Sequence, residues 1–258
     1  MDRSFLLTQG KLNIPCKLTV PDNCPLRRVV LGVHGLCGSA TDPIQTALAE
    51  EMGFFESASL RFDFPAHGDS PMESDAFTVA NCVDSLCAVA QYAREQFPQV
   101  EDLCVFATGF GAYITLLALP TLEAQPGNLR LVIQTPSVLM HDTLLKMLRI
   151  SKETLRAQQK AVIPVKRPLT ITYEFYKELL GNIALTTHNV PMLVLHSEED
   201  AYIDMNDIRR FRVVNDLSKL VIIPGTSHQF LEDGAWDMVL DLTRDWFEFE
   251  QVLLTDYE

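Results

Sequence analysis

Two polar residues in the last third of the chain have the types and positions needed for acid–base chemistry. His228 follows the apolar segment Leu220–Ile223 in a Gly-Thr-Ser-His turn, and Asp200 follows the apolar segment Met192–Leu195. A carboxylate that orients an imidazole lets the imidazole take a proton from a nucleophile and later return it. The third member of such a site would be a nucleophile, which other elements of the chain must bring close to His228.

Apolar segments of strand length alternate along the chain with segments of helical periodicity. Such alternation indicates a mostly parallel sheet with helices on both faces. The predicted strands of this sheet are Arg28–Val33, Ala58–Phe64, Leu103–Ala107, Leu129–Gln134, Met192–Leu195 and Leu220–Ile223. A further strand, Lys11–Val20, is expected to pair with the residues around Phe5–Thr8. The predicted helices are Asp42–Met52 with Asp42 as N-cap, Thr78–Phe97, Ala112–Leu119 and Ala235–Val252.

The stretch 139–185 differs from the rest of the chain. It has helical pattern and charge but no predicted strand of the sheet, and Pro164 and Pro168 interrupt it. Between Met140 and Leu180 there are eight basic and four acidic residues, although the whole chain has a net charge of −13. Insertions of this length often cover active sites. We expect a core formed by 1–138 and 186–258 and a cap formed by 139–185, whose charges either attract anionic or phenolic substrates or lie on solvated helix faces.

Four features together resemble the α/β-hydrolase superfamily. They are His34-Gly35 after the first buried strand, the turn of small residues at Gly109, the late Asp200 and the later His228. The stretch Leu60-Arg61-Phe62-Asp63-Phe64, followed by His67-Gly68-Asp69-Ser70, is similar to bacterial cinnamoyl and feruloyl esterases. The resemblance implies an α/β-hydrolase fold, with a mostly parallel sheet, helices on both faces and a small cap insertion. It also implies hydrolysis of carboxylic esters.

The nucleophile of this family is a serine in a sharp strand-to-helix turn, G-x-S-x-G. The five positions of the turn here are Ala107, Thr108, Gly109, Phe110 and Gly111, so glycine stands where the serine would be. Glycine has no side-chain atom that could attack a carbonyl, so covalent acyl transfer cannot start there. Thr108 is expected to point away from the pocket and Cys104 to lie inside the strand, so neither is expected to substitute. The alternative is that the turn is only a glycine-rich loop.

The resemblance also assigns the acid and the base. By position, Asp200 is expected to orient the imidazole and His228 to act as the general base. Glu198 and Glu199 compete with Asp200 for the role of the acid, and a solvated acidic loop is the alternative for all three.

The oxyanion hole of this family uses two backbone N–H groups, one after the nucleophile and one in the loop after the first buried strand. By position these belong to Phe110 and Leu36. His34 and Gly35 are expected to shape that loop, with His34 as a structural hydrogen-bonding residue rather than a second base. The neighbouring loop is expected to be tied down, without a metal ion, by Asp63, His67 and Asp69.

Composition excludes several classes of function. The net charge of −13 repels polyanions, so neither nucleic acid nor an anionic membrane is an expected partner. No apolar run reaches the ~18 residues that span a bilayer, and the N-terminal residues do not resemble a secretory signal. A cytoplasmic protein is therefore expected. The six cysteines lack metal-ligand spacing, so neither a metal nor a cofactor is expected. The expected partner is a small-molecule ester, and a homodimer is left open.

Two explanations of Gly109 stay open at this level. One is a serine esterase in which a Ser→Gly change was introduced to hold an ester unhydrolysed. The other is a natural protein without the reaction, which binds a ligand or a partner. In both cases the chain is expected to be inactive or nearly so. A purely structural module is disfavoured by the polar residues at the predicted strand ends.

Overall fold

The computed structural model describes residues 1–22 and 24–249. The strands in these ranges are β1 (Asp2–Gln9), β2 (Leu12–Thr19), β3 (Arg28–Val33), β4 (Ser57–Phe62), β5 (Asp102–Thr108), β6 (Asn128–Gln134), β7 (Lys160–Ile163), β8 (Leu169–Thr172), β9 (Met192–Glu199) and β10 (Ser218–Ser227). The helices are α1 (Pro43–Phe54), α2 (Val79–Gln96), α3 (Phe110–Glu123), α4 (Met140–Leu148), α5 (Lys152–Gln158), α6 (Tyr173–Gly181), α7 (Met205–Val214) and α8 (Ala235–Phe249).

Eight of the strands form one sheet in the order β1-β2-β4-β3-β5-β6-β9-β10. The first two strands form an antiparallel hairpin, and β2 also pairs antiparallel with β4. The remaining pairs, from β4 through to β10, are all parallel. The prediction of a mostly parallel sheet is therefore confirmed.

The middle strands of the sheet are buried on both faces, as their continuous apolar composition requires. In β5, Leu103 and Val105 belong to one core cluster, whereas Cys104 and Phe106 belong to another. Residues of α2 and α3 cover the first face, and residues of α1 and α8 cover the second. Full burial of such side chains contributes roughly 1.5–3 kcal/mol each, so the middle strands are held firmly between the two helical layers.

The register of the parallel strands aligns the carboxyl ends of β5 and β6 with Leu195 in the middle of β9. Thr108 of β5 pairs with Gln134 of β6, and Gln134 pairs with Leu195 of β9. The residues that follow these three positions therefore meet at one edge of the sheet, where open α/β sheets bind their ligands.

Between β6 and β9 the chain leaves the main sheet. This segment contains α4, α5 and α6, and its two strands β7 and β8 form a separate antiparallel pair. The expected helical character is thus only partly correct, because residues around Pro164 and Pro168 connect a small hairpin. Arg167, in this connection, donates hydrogen bonds to the backbone oxygens of Ser70 (2.6 Å) and Met72 (2.9 Å). That the segment acts as a cap stays a prediction.

Other differences from the expected elements are local. Helix α7 was not predicted, because only Ile208 and Phe211 of its ten residues are buried. Asp42 precedes α1 but makes no side-chain cap; its carboxylate accepts the backbone N–H of Ser39 instead, at 2.9 Å. The predicted last turn of the final helix, 250–252, lies outside the described residues. Within the described ranges, no helix is both long and apolar enough to cross a bilayer.

Candidate active site

The turn between β5 and α3 is sharp and has Gly109 at its apex. Gly109 has φ +49° and ψ −109°, a backbone conformation that favours glycine. Its N–H donates to the carbonyl oxygen of Gln134 at 2.9 Å, and its own carbonyl oxygen accepts the N–H of Tyr113 at 3.1 Å. The turn is therefore fixed by backbone hydrogen bonds to the neighbouring strand and to the first turn of the helix.

Gly111 allows α3 to approach the end of β3 closely. A Cβ at this position would lie 2.7 Å from the carbonyl oxygen of Val33 and would also overlap that of His34. At Gly109 the situation is the opposite, because a Cβ there would have no contact within 4 Å. Position 109 thus has room for a larger side chain, although its positive φ would strain one.

Asp200 and His228 form a hydrogen-bonded pair. Nδ1 of His228 lies 2.7 Å from Oδ2 of Asp200, whose side chain is 2% exposed. The other carboxylate oxygen, Oδ1, accepts the backbone N–H groups of Tyr202 (2.8 Å) and Ile203 (2.9 Å). Burial has the largest single effect and raises the pKa of Asp200. The hydrogen bond and charge of His228 and the two backbone donors outweigh it, so the pKa is lowered from its ordinary value.

The orientation of the His228 ring follows from this pair. A carboxylate with a lowered pKa is an acceptor, so Nδ1 carries the proton and donates it to Asp200. The other ring nitrogen, Nε2, is then left for the cavity, which His228 lines. Tyr202 packs edge-on against the ring with centroids 5.1 Å apart and holds it in place.

The two glutamates that precede Asp200 are placed differently. Glu198 accepts the backbone N–H of Gly225 at 2.9 Å, and Glu199 is exposed. Of the three acidic residues in this loop, Asp200 is the one that the structure places against His228.

A cavity of about 440 Å³ connects the predicted positions. Its lining comes from the loop after β3, the turn after β5 and the loop after β10, and it includes Gly35, Leu36, Thr108, Gly109, Phe110 and His228. Phe110 is the first residue of α3, where backbone N–H groups have no partner within the helix. The structure therefore brings His228, Gly109, Leu36 and Phe110 to one cavity, with Asp200 hydrogen-bonded to His228.

His34 lies behind this cavity rather than in it. It is fully buried; its Nδ1 donates to the carbonyl oxygen of Gly35 at 2.8 Å, and its Nε2 accepts the N–H of Phe64 at 3.1 Å. Burial lowers the pKa of His34 to about 4, against a smaller opposite effect of its hydrogen bond to Gly35. His34 is thus a neutral imidazole that hydrogen-bonds the backbone of its own loop and of the loop after β4.

Asp63 ties the neighbouring loops together. Its carboxylate accepts the backbone N–H of Ala40 at 2.7 Å and that of Asp69 at 2.9 Å. His67 is buried, and its Nδ1 donates to the carbonyl oxygen of Pro65 at 2.8 Å. Over the described part of the chain, no group of three or more His, Cys, Asp or Glu side chains is arranged to hold a metal ion.

Comparison with protein-family models and with curated proteins gives no match to the sequence. Solved structures do match the fold. Est1E from Butyrivibrio proteoclasticus, in complex with ferulic acid, is 18% identical with a TM-score of 0.76, over 94% of this chain and 97% of that one. Mouse alpha/beta hydrolase domain-containing protein 10 is 14% identical with a TM-score of 0.73, over 96% and 100%. A soluble variant of yeast monoglyceride lipase, in complex with a substrate analogue, is 13% identical with a TM-score of 0.73, over 97% and 96%.

This chain has the α/β-hydrolase fold. The order of its strands and these three likenesses over nearly the whole chain establish the architecture that the resemblance implied. At such low identity the likeness concerns the fold alone.

Thr108 lies among the residues that line the cavity, and its Oγ1 is 3.4 Å from the position that a Cβ on Gly35 would take. That its side chain points away from the pocket stays a prediction. Cys104 is inside the strand as expected, fully buried, and burial raises the pKa of its thiol to about 12.

Sequence reasoning missed one wall of the site. Gln134 at the end of β6, and Thr135 and Ser137 directly after it, are buried and line the cavity beside Gly109. The signal was present, since polar residues at the carboxyl end of a predicted strand are candidates for binding. The inserted segment contributes Met140, Met147 and Val165 to the lining.

Proposed function

We propose that this chain carries the binding and acid–base groups of a serine-type carboxylic ester hydrolase in a form without the nucleophile. The observation that carries the proposal is the Asp200–His228 pair at 2.7 Å, on the same cavity as the open apex at Gly109. In this arrangement His228 is the general base and Asp200 fixes its tautomer. The N–H groups of Leu36 and Phe110 would stabilise the tetrahedral oxyanion, with His34 and Gly35 shaping the loop that holds the first of them.

The reaction that these groups serve requires a hydroxyl at position 109. Its oxygen would attack the ester carbonyl while its proton moves to Nε2 of His228. The C–O bond to the alcohol would then break, and the same proton would pass to the leaving alkoxide. Water would hydrolyse the acyl-enzyme by the same steps. Glycine cannot begin this sequence, so we expect the chain as it stands to be inactive or nearly so.

The test compares the chain with its Gly109→Ser and Gly109→Ala variants on 4-nitrophenyl acetate, 4-nitrophenyl butyrate and methyl ferulate. The last ester is chosen because Est1E binds ferulic acid. We expect turnover only in the serine variant, with a gain of up to about a millionfold. The alanine variant is the matched control, since it adds the same Cβ at the same strained φ without a hydroxyl. A folded serine variant that stays inert on all three esters would show that the proposal is wrong.

A second candidate is a protein that binds an ester without reacting with it. Gly109 favours this reading, because it leaves the cavity and the acid–base pair in place and removes only the reacting atom. A bound ligand raises the apparent stability in proportion to ln(1 + [L]/Kd). We expect esters to raise the Tm of the chain as it stands and to be recovered intact after hours of incubation.

A further inference from the structure

The segment Gln134–Ser137 wraps around the apex of the turn. The carbonyl oxygen of Gln134 accepts the N–H of Gly109 at 2.9 Å, and the N–H of Ser137 donates to the carbonyl oxygen of Gly109 at 3.4 Å. Adjacent strands lie about 4.8 Å apart. If the carbonyl of a bound ester lies at Gly109, a ligand group that faces this segment is therefore only one or two carbon atoms away from that ester carbonyl. This position is distinct from that of the acid–base pair.

The side chain of Gln134 is buried without a complete set of partners. It is 4% exposed and lines the cavity, and its Oε1 has no hydrogen-bond partner among the described residues. Buried polar atoms in native structures are almost always paired, so each exception calls for an explanation. The unpaired oxygen of an amide that lines a cavity is explained if a bound ligand supplies the hydrogen-bond donor.

Thr135 is held in an unusual conformation beside it. Its φ is +43°, which is rare for a β-branched residue, and its N–H donates to the carbonyl oxygen of Leu195 at 2.7 Å. Backbone strain of this kind clusters at ligand-binding sites. Thr135 and Ser137 are both 2% exposed and both line the cavity, so two hydroxyl residues stand next to the unpaired amide.

The charge of the lining limits the chemistry of the ligand. None of the described residues that line the cavity is a lysine or an arginine. Asp42, the one acidic residue among them, is engaged with Ser39, whose N–H and Oγ donate to its Oδ1 at 2.9 and 3.2 Å. A carboxylate on the ligand would therefore meet no lysine or arginine in this lining, whereas an ammonium group could still meet the carboxylate of Asp42, whose partners on Ser39 are uncharged. The apolar lining from Met140, Met147 and Val165 suits a hydrocarbon chain.

We propose that the Gln134–Ser137 segment recognises a hydroxyl group near the carbonyl of an otherwise apolar ester that carries no acidic group. The amide and the two hydroxyl side chains can each donate and accept, as a ligand hydroxyl does. The proposal rests on the proposed function for the position of the carbonyl, and it names the class of ligand for that same site.

The test compares three esters on the chain as it stands: ethyl hexanoate, ethyl 3-hydroxyhexanoate and 2-hydroxyethyl hexanoate. Calorimetric or ligand-observed NMR titration gives the Kd of each. We expect one hydroxylated ester to bind about fivefold to tenfold more tightly than ethyl hexanoate, as one additional hydrogen bond predicts. The preferred ester shows whether the acyl or the alcohol arm faces Gln134.

The Gln134→Leu variant should lose that preference, so that the ratio of its Kd values for ethyl hexanoate and the preferred hydroxylated ester falls to about one. It should fold at least as stably as the parent, because the substitution removes an unpaired buried oxygen. Gln125→Leu is the matched control, since Oε1 of Gln125 is also unpaired among the described residues but lies in a different groove. It should leave the preference unchanged.

Two outcomes would overturn the proposal: equal affinity of the parent chain for all three esters, or an unchanged preference in Gln134→Leu. If no ester binds measurably, the ratio of kcat/KM values in the Gly109→Ser variant decides in the same way. A serine variant that hydrolyses all three esters equally contradicts the hydroxyl proposal alone. A serine variant that is inert on these and on the aryl esters contradicts the proposed function itself.

Discussion

The two sides of the candidate site are built from different parts of the chain. On the side of β9 and β10, the geometry depends on side chains, because the Asp200 carboxylate must meet the imidazole of His228. On the side of β5 and α3, it depends on the backbone, because the apex is held by the hydrogen bond from Gly109 to Gln134 and by the close approach of Gly111.

This difference explains how the turn can keep its geometry with glycine at its apex. A turn that is fixed by backbone hydrogen bonds does not need a side chain at position 109, whereas the Asp200–His228 pair exists only if both side chains are present. We therefore expect substitutions on the pair to change chemistry much more than stability, whereas substitutions in the turn should also change stability.

The largest effect is expected for His228. In the Gly109→Ser background, His228→Ala should lower kcat by up to about a millionfold, because the proton of the attacking hydroxyl has no acceptor. Steady-state kinetics on 4-nitrophenyl butyrate measure the loss, and urea unfolding should show a similar free energy for both proteins. A variant with His228→Ala that retains most of the activity would remove His228 from the proposed role.

Asp200 should come next. In the same background, Asp200→Asn should lower kcat by about ten thousandfold, because an amide at this position favours the wrong imidazole tautomer. Glu198→Gln is the matched control, since Glu198 bonds Gly225 and not His228. Loss of activity in Glu198→Gln with retention in Asp200→Asn would reverse the assignment.

The sequence predicts those strands and helices in which burial restricts the side chains to apolar types. Strand β3, Arg28–Val33, is buried throughout, and its apolar run marks both ends. Helix α7 could not be found in the same way, since Ile208 and Phe211 alone make its buried stripe. The hairpin β7–β8 lies outside the main sheet, and its alternation is too short to distinguish from a helical pattern.

The two sides of the candidate site also differ in how much of each could be predicted from the sequence. His228 and Asp200 could be named from the sequence because each follows a strand that is recognisable by itself. The side of the turn depends on neighbours that no local pattern reveals. The position of Thr108 beside Gly35 and the unpaired oxygen of Gln134 both depend on the three-dimensional surroundings of these residues.

A buried histidine on the turn side should make stability depend on pH. The pKa of His34 is lowered to about 4 by burial, below its ordinary value near 6.5. The stabilising contribution of the neutral form is therefore complete above pH 6.5 and is lost as pH falls towards 4. With ~1.4 kcal/mol per pKa unit, the loss is roughly 3 kcal/mol. In His34→Gln, the decline of the unfolding free energy between pH 7 and pH 4 should be smaller by about this amount; an unchanged decline would contradict the buried, neutral imidazole.

Gly111 tests the close approach of α3 to β3. Gly111→Ala would place a methyl group 2.7 Å from the carbonyl oxygen of Val33, and overpacking of this kind costs typically 1–3 kcal/mol. Gly181→Ala in α6 is the matched control, because a Cβ there has no contact within 4 Å and alanine is the better helix former. Urea unfolding should show destabilisation in the first variant only.

The smallest effect concerns the apex itself and separates strain from chemistry. Gly109 has φ +49°, which costs a residue with a Cβ on the order of 1–3 kcal/mol, although the open space around position 109 adds no clash. Glycine loses more backbone entropy on folding, by about 0.5–1 kcal/mol relative to alanine, and this offsets part of the strain. Gly109→Ser should therefore lower the free energy of unfolding by about 1 kcal/mol while it restores turnover. Gly109→Ala should lower it by a similar amount without turnover, because both variants share the Cβ.

Paired urea melts with equal slopes measure the difference in unfolding free energy between each variant and the parent. A serine variant as stable as the parent would mean that the apex is not strained, and the distinction between a turn held by its backbone and a pair held by its side chains would no longer hold.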